Sequence, residues 1–293
     1  MVGEGIIEIG SENFKKSREE EIMKIRTNGF CLFMSLCTLF LLAPYAFAAE
    51  KDYSNEPWER GALYLGAYVL DTNSDLKLGP GVKVDAEDVL GLEENFTAFR
   101  ADAFWRITRR NRVDFTFYQM NRNGSSFLGV EIPDGEGGSF PLGTKVKTDF
   151  DISVLRASYA YSFFKNEHFD LGVAGGLFGL SVNFKMDSDV FGKDEKTDFT
   201  VPLPVVGLRG SFALTPKWFI RQSFDYFYIN VGNYEGQLVD FNVALEWNAL
   251  KHVGIGVGYN YAQMTLKYSG SDDFLEEIDM AYGGVLLFAK LYF

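Results

Sequence analysis

The chain has 293 residues, with 28 Lys and Arg against 40 Asp and Glu and a net charge of −12, a balance that argues against nucleic acid as a polyelectrolyte partner. Its two cysteines, Cys31 and Cys37, both lie near the N-terminus. Mean hydropathy is −0.05, and beyond residue 48 no apolar run approaches the ~20 residues of a spanning helix. A membrane would have to be crossed by strands.

Residues 1–22 carry Glu4, Glu8, Glu12, Glu19, Glu20 and Glu21, which do not belong to an export signal. The purine-rich codons implied by Arg18-Glu19-Glu20 just before Met23 resemble a translated ribosome-binding site, so residues 1–22 read as a non-native extension and Met23 as the start. Lys24 and Arg26 then precede FCLFMSLCTLFLLAPYAFA, which closes on Ala46-Phe47-Ala48. A positive region, an apolar region and small residues in that order make a secretory signal peptide over 23–48, cut after Ala48. Both cysteines fall inside it, so the mature chain has no disulfide, no thiolate and no cysteine metal site. Five of the basic and six of the acidic residues are removed with it, leaving 245 residues (293 less 48) at a charge of −11. Residues 49–60 read as a short periplasmic segment and 61–293 as one all-β domain.

Ten runs of alternating apolar and polar residues follow: Gly61–Thr72, Asn95–Thr108, Val113–Arg122, Phe150–Phe164, Phe169–Lys185, Thr200–Leu214, Trp218–Val231, Leu238–Asn248, Val253–Tyr268 and Ile278–Phe293. RRNR, KNEH, TPK and ALKH join alternate pairs tightly, while segments such as Asn73–Glu94, Asn123–Asp149 and MDSDVFGKDEKTDF read as long acidic loops at the other end. Loops sorted by length to two ends, with an even strand count, predict a transmembrane antiparallel up-and-down β-barrel of ten strands, with eight and twelve as alternatives.

Alternation also separates the faces. Val239, Phe241, Val243, Leu245 and Trp247 oppose Asp240, Asn242, Ala244, Glu246 and Asn248, and nearly every run has such an apolar face. Too much apolar surface for a core points it at lipid and turns the polar face inward. That register predicts an interior charge network of Arg100, Asp102, Arg106, Asp114, Arg156, Arg209, Arg221, Asp225, Asp240, Glu246 and Lys290, paired because a lone desolvated charge is costly. An interior ten strands wide is mostly filled by side chains. Trp105, Tyr161, Phe163, Trp218 and Trp247 lie beside the tight turns, where a periplasmic aromatic girdle belongs.

An export signal, a mature chain without cysteine, an even strand number and a last strand alternating to Phe293 together resemble the bacterial outer-membrane β-barrel class. In that class the terminal aromatic and the apolar positions before it are read by the barrel-assembly machinery. Phe293, Leu291, Ala289, Leu287 and Val285 match that pattern, with Leu291 where the class often has an aromatic. The resemblance implies the outer membrane of a Gram-negative bacterium and specifies no activity. The stretch KVDAEDVLGLEENFTAFRADAFWRI is similar to a family of proteobacterial barrels, which also implies none.

Enzymes of the outer-membrane class (omptin proteases, lipid A palmitoyl and deacyl enzymes, the phospholipase) use histidine near the outer surface. Here the only histidines, His168 and His252, fall in predicted periplasmic turns, so no catalytic residue is assigned. DTNSDLKLGPGV begins like a calcium loop at Asp71, Asn73 and Asp75 but has Leu76 where Gly is needed and Val82 where the bidentate Glu is needed, so it reads as a solvated acidic loop. No metal site and no cofactor are expected. Acidic loops such as SGSDDFLEEID and DSDVFGKDEKTD are expected to face lipopolysaccharide, sharing divalent cations with its phosphates. Two functions lead, a closed barrel with a structural or surface-interaction role and a narrow channel or uptake porin for a small solute, with an outer-membrane enzyme a distant third.

Overall fold

The computed structural model describes residues 57–78, 82–133, 138–188, 193–231, 234–268 and 275–293. The extension at 1–22, the signal peptide with Ala46 and Ala48, and most of 49–60 lie outside them. Ten long strands form one antiparallel ring: β1 (Gly61–Leu78), β3 (Asn95–Arg106), β4 (Asn111–Phe127), β7 (Lys145–Lys165), β8 (Phe169–Ser188), β9 (Lys193–Ala213), β10 (Trp218–Val231), β11 (Tyr234–Trp247), β12 (Val253–Tyr268) and β13 (Leu275–Tyr292). Each pairs with its neighbour in that order, and β13 pairs back onto β1 with Leu63 opposite Leu291 and Val69 opposite Val285. Short pieces decorate one end: β2 (Val82–Asp85) folds back on β1, α1 (Ala86–Leu90) follows it, and β5 (Ile132–Pro133) pairs with β6 (Ser139–Phe140).

The four tight turns read from the sequence lie at the opposite end, and side chains hold three of them; at the decorated end, against the sorting of loops by length, β10 and β11 are also joined closely, with Val231 paired to Tyr234. The Thr108 hydroxyl accepts from the Asn111 amide at 3.1 Å, Asn166 Oδ1 accepts from the His168 and Phe169 amides at 2.9 and 2.8 Å, and the Thr215 hydroxyl accepts from the Trp218 amide at 3.1 Å. Such side-chain caps satisfy the donors that a turn frees. The last residue belongs to this end as well: the Phe293 carbonyl accepts from the Arg60 and Gly61 amides at 2.9 and 3.0 Å, and the Phe293 amide donates to the Gly61 carbonyl at 3.0 Å.

At the far end the strands run further than alternation suggested. β1 continues past Thr72 to Leu78, β4 past Arg122 to Phe127, and β8 past Lys185 to Ser188, while β7 begins at Lys145 and β9 at Lys193. Most of MDSDVFGKDEKTDF, read as a loop, is therefore the β8–β9 hairpin, with Met186 opposite Glu195. Acidic composition was mistaken for a loop because a strand with water on one side can carry charge on every second residue.

The extra length has a consequence for the faces. A tilted strand needs only ~9–11 residues to cross a membrane, whereas β8 has 20. In its lower half Val173 and Leu177 are exposed outside, with Gly172, Ala174 and Gly176 inside; in its upper half Asn183 is exposed outside, and Leu180, Val182, Phe184 and Met186 are fully buried inside. β1 makes the same exchange at Val69 and Leu70: above them Asp71, Asn73 and Asp75 face outward and Leu76 and Leu78 inward. The expectation of a polar lumen along the whole axis is corrected here. Alternation shows that two faces differ, but what surrounds the strand decides which face points out.

The half beside the tight turns is thus apolar outside and polar within, and the far half is built like a water-soluble barrel. Val173→Arg should cost roughly 2–4 kcal/mol in urea unfolding from lipid vesicles, the midplane penalty for such a charge, whereas Asn183→Arg on the same outer face should cost little. Equal costs would place the exchange of faces elsewhere.

Candidate functional site in the barrel lumen

Three layers fill the lumen. The first closes the tight-turn end with the segment before β1. Glu59 turns inward, where its carboxylate accepts from Arg221 at 2.6 Å, Lys290 at 2.5 Å and Asn248 at 3.0 Å. Glu246 accepts from the same Arg221 and Lys290, at 2.9 and 2.8 Å. Lys290 is completely buried, so both acids are needed to hold its charge out of water. Burial alone would raise the Glu59 carboxyl, but Arg221 and Lys290 together outweigh it and hold it well below the usual carboxylate range. Beside it, Arg106 pairs with Asp170 and donates to the Glu59 carbonyl at 3.2 Å, and Lys165 reaches Asp170 at 3.1 Å. Trp58 completes the stopper, its indole N–H donating to the Asn166 carbonyl at 2.6 Å and its ring 6.0 Å from Phe219.

The second layer is a chain of alternating charges across the ring. Arg112 meets Asp114 at 2.7 Å, Asp114 meets Arg209 at 3.3 Å, Arg209 meets Asp225 at 2.9 Å, and Asp225 meets Arg156 at 2.5 Å, with Asp240 at 3.6 Å beyond it. Arg100 grips Asp102 with two hydrogen bonds of 2.9 and 3.1 Å, and its other amino group donates to Asn260 at 3.2 Å. Gly207 makes room for this chain, because a Cβ there would fall on the Asp225 carboxylate and the Arg209 guanidinium. Between the first two layers lies a cavity of about 110 Å³, lined by Tyr64, Arg112, Arg156 and Asn242 among others.

Tyrosines roof the charged part. Tyr68 donates to Asn260 at 2.8 Å, the Tyr118 and Tyr282 hydroxyls bond to each other, and Arg100 lies 5.6 and 5.4 Å from the Tyr68 and Tyr118 rings. Above them the third layer is an apolar core that includes Leu70, Phe150, Ile152, Phe178, Phe184 and Met280, all nearly inaccessible. α1 is tucked into its top: Asp85 caps the helix by accepting from the Asp88 amide at 2.8 Å, Gly91 ends it at φ 70°, and Ala86 and Leu90 are buried. Glu87 of that helix pairs with Arg122. Burial raises the Glu87 carboxyl, with Arg122 opposing the rise. The expectation of a solvated acidic loop over DTNSDLKLGPGV is corrected, since Asp71 to Leu78 continue β1 with Leu76 and Leu78 buried, and the longer Asn73–Glu94 segment read as a loop also holds α1 with its buried Glu87.

All eleven charges of the sequence register lie on the inner side, and every one has an opposite charge within 4.0 Å. Sequence reading omitted Glu59, Arg112, Lys165, Asp170 and the Glu87–Arg122 pair. Asp170 was recoverable, being in register with the inward Gly172. Glu59 was not, because it precedes the first run and carries no periodicity. Trp105, Tyr161, Phe163, Trp218 and Trp247 are exposed on the outer face at the tight-turn end, with Trp218 stacked on Trp247 at 5.8 Å and Trp105 at 5.4 Å from Phe293. Val285, Leu287, Ala289, Leu291 and Phe293 are exposed on the same face. His168 and His252 are exposed in the tight turns. Among the described residues no group of three or more His, Cys, Asp or Glu is placed to hold a metal ion; parts of SGSDDFLEEID and DSDVFGKDEKTD lie outside those residues.

No protein-family model and no curated protein sequence matches the chain. Among solved structures it is similar to the outer membrane protease OmpT of Escherichia coli, at 10% identity and a TM-score of 0.51 over 83% of this chain and 99% of that one. Ail, the attachment invasion locus protein of Yersinia pestis, follows at 16% identity and 0.35 over 80% and 97%, and the toluene transporter TodX of P. putida at 8% and 0.34 over 82% and 93%. At these identities the likeness is one of fold. That fold is the closed antiparallel barrel of bacterial outer-membrane proteins.

Removing one partner from a buried ion group leaves the other uncompensated. Lys290→Met, which strands Glu59 and Glu246 on Arg221 alone, should cost about 3–5 kcal/mol in equilibrium unfolding. Because the folded-state pKa of Glu59 lies below its unfolded value of ~4.3, its contribution is fully present above that value and drains away as pH falls beneath it. Glu59→Gln should therefore lower stability at neutral pH and flatten the acid limb of the stability profile.

Proposed function

We propose that the protein resides in the outer membrane of a Gram-negative bacterium as a barrel with no open axial path, and that it serves a structural or surface-interaction role, not permeation. The observation that carries this reading is the filling of the lumen by three successive layers: the Trp58 and Glu59 stopper, the charge chain beneath its tyrosine roof, and the apolar core. The short turns then face the periplasm and the far half stands above the membrane. Its outer partner is lipopolysaccharide, met by outward acids such as Asp71, Asp149 and Asp151, with divalent cations shared between them. During biogenesis the barrel-assembly machinery reads the Val285 to Phe293 face.

A catalytic role is disfavoured by position. Both histidines lie at the tight-turn end, away from an outer-surface substrate. A narrow path for a small solute is the second reading, favoured by the cavity of about 110 Å³ between layers of charge.

Planar-bilayer recording decides between the two. Purified folded protein should insert without steps of current; steady unitary conductance would overturn the closed barrel. Export and assembly are tested separately by deleting Phe293, with Phe293→Tyr as the conservative control. The deletion should lower the heat-modifiable form in outer-membrane fractions and leave unfolded protein in the periplasm, because the last strand must close on β1 before its apolar face can enter lipid. Normal assembly of the deletion would make the terminal aromatic incidental.

A further inference from the structure

The ring is not laced along its full height. The β9–β10 ladder runs from Ala213 opposite Phe219 up to Val206 opposite Tyr226 and stops there. Both strands go on: β9 stays paired with β8 as far as Lys193, and β10 with β11 as far as Val231. The sequence supplies the cause in VPLPVV. Pro202 and Pro204 have no N–H, and two prolines two residues apart remove two donors from one side of a strand. The β8 ladder passes both without a break, and the β10 ladder is the one that ends.

A cleft occupies the parting. Its volume is about 750 Å³, within the ~300–1,000 Å³ range of small-molecule sites. Inward Val201 and Leu203 and outward Thr200 and Pro202 line the same space, an arrangement that requires the free edge of a strand. Across the lumen it is walled by Leu266 and Ile278, and on the β10 side by Ile229. The opening begins just above exposed Val206 and Tyr226, with Pro204, Pro202 and Tyr228 next on the outer face and polar Thr200, Asp198 and Lys196 beyond them.

Three kinds of occupant are conceivable, and the residues around the cleft separate them. A strand from another chain is resisted by the two prolines and by the charged Lys196 and Asp198 on the same edge, which are the features that keep sheet edges from pairing. Among the described residues an anionic amphiphile finds no spare cation at the rim: Lys196 is paired with Asp198 at 2.7 Å, and Lys267 lies 3.9 Å from Glu235 and 4.0 Å from Glu277. With Glu276 also lining it, the rim is net acidic. An uncharged apolar molecule loses nothing to those charges and gains the burial of its surface against the aliphatic wall. We propose that the β9–β10 cleft is a binding site for a small, uncharged, largely apolar molecule, entered from the side of the barrel at the upper edge of its apolar belt.

The test uses mature protein in phosphocholine nanodiscs and a neutral naphthalene carrying a diazirine, with crosslinked residues located by mass spectrometry. Saturable labelling of the β9 and β10 edges, competed by naphthalene and poorly by naphthalenesulfonate, is expected. Continuing the register would set Leu203 opposite Ile229, so a Leu203→Cys/Ile229→Cys disulfide should draw the parting closed, lower edge labelling about tenfold, and release it on reduction. Val201→Asp, which places a charge in the wall, should give the same loss without needing the bridge to form. Labelling that never saturates, that is confined to the outer belt by lipid partition, or that persists in both variants would overturn the proposal. The readout is the same whether or not the axial path conducts, so it stands or falls apart from the closed-barrel reading.

Discussion

The pairing of β13 with β1 is the constraint from which the rest follows. An open antiparallel sheet of these ten strands would present two bare edges, and in hydrocarbon each unpaired backbone group costs several kcal/mol. Closing the ring removes both edges and creates an interior that must then be filled. The seam is secured at the tight-turn end, where the Phe293 carbonyl takes the Arg60 and Gly61 amides and Lys290 of the last strand is tied to Glu59 ahead of the first. Backbone closure and the innermost ion pair therefore join the same two ends of the chain.

Filling the interior with charge is not the most stable solution available in general, since well-packed apolar residues of similar volume often do as well or better than a buried ion group. Here the outer face limits the choice. A strand apolar on both faces would be hard to keep in one register, because a slip of one residue would cost it little, whereas Arg209 turned outward would meet the apolar belt beside Leu208. The charges thus specify register as well as occupying space. Small residues fit between them: a Cβ at Gly256 would fall on the Phe288 ring, just as one at Gly207 would fall on the charge chain.

What could be read from the sequence follows from what period two can encode. Ten strands, their order and the inward parity of Arg100 or Asp240 are local, repeated signals, and the ring of ten reflects them. Partners across the lumen are not local: Arg156 meets Asp225 and Lys290 meets Glu59 through closure of the ring, and no spacing along the chain announces either pair. The exchange of faces at Leu70 and Asp71 was hidden for another reason. Apolar Leu76 and Leu78 alternate with charged Asp75 and Lys77 in the way expected of either a lipid-facing or a core-facing strand, so the pattern is the same on both sides of the exchange. VPLPVV was visible but was absorbed into a regular run, although paired prolines in a strand mark an edge.

That edge is tolerated where it is because of the exchange of faces. At and below Val206 and Tyr226 the outer belt is apolar, and an unlaced pair of strands deep in it would leave amides facing a solvent with nothing to offer them. Above them Pro204, Pro202 and Tyr228 lead to a polar outer surface with Thr200, Asp198 and Lys196; the prolines have no amide to satisfy, and water can reach the freed groups beyond them. The rule that forces closure therefore lapses at about the height where the lumen turns apolar. A parting at that height joins the outer surface to aliphatic walls without opening the charged layers beneath, so a lateral site and a closed axis are compatible consequences of one division of the barrel into two halves.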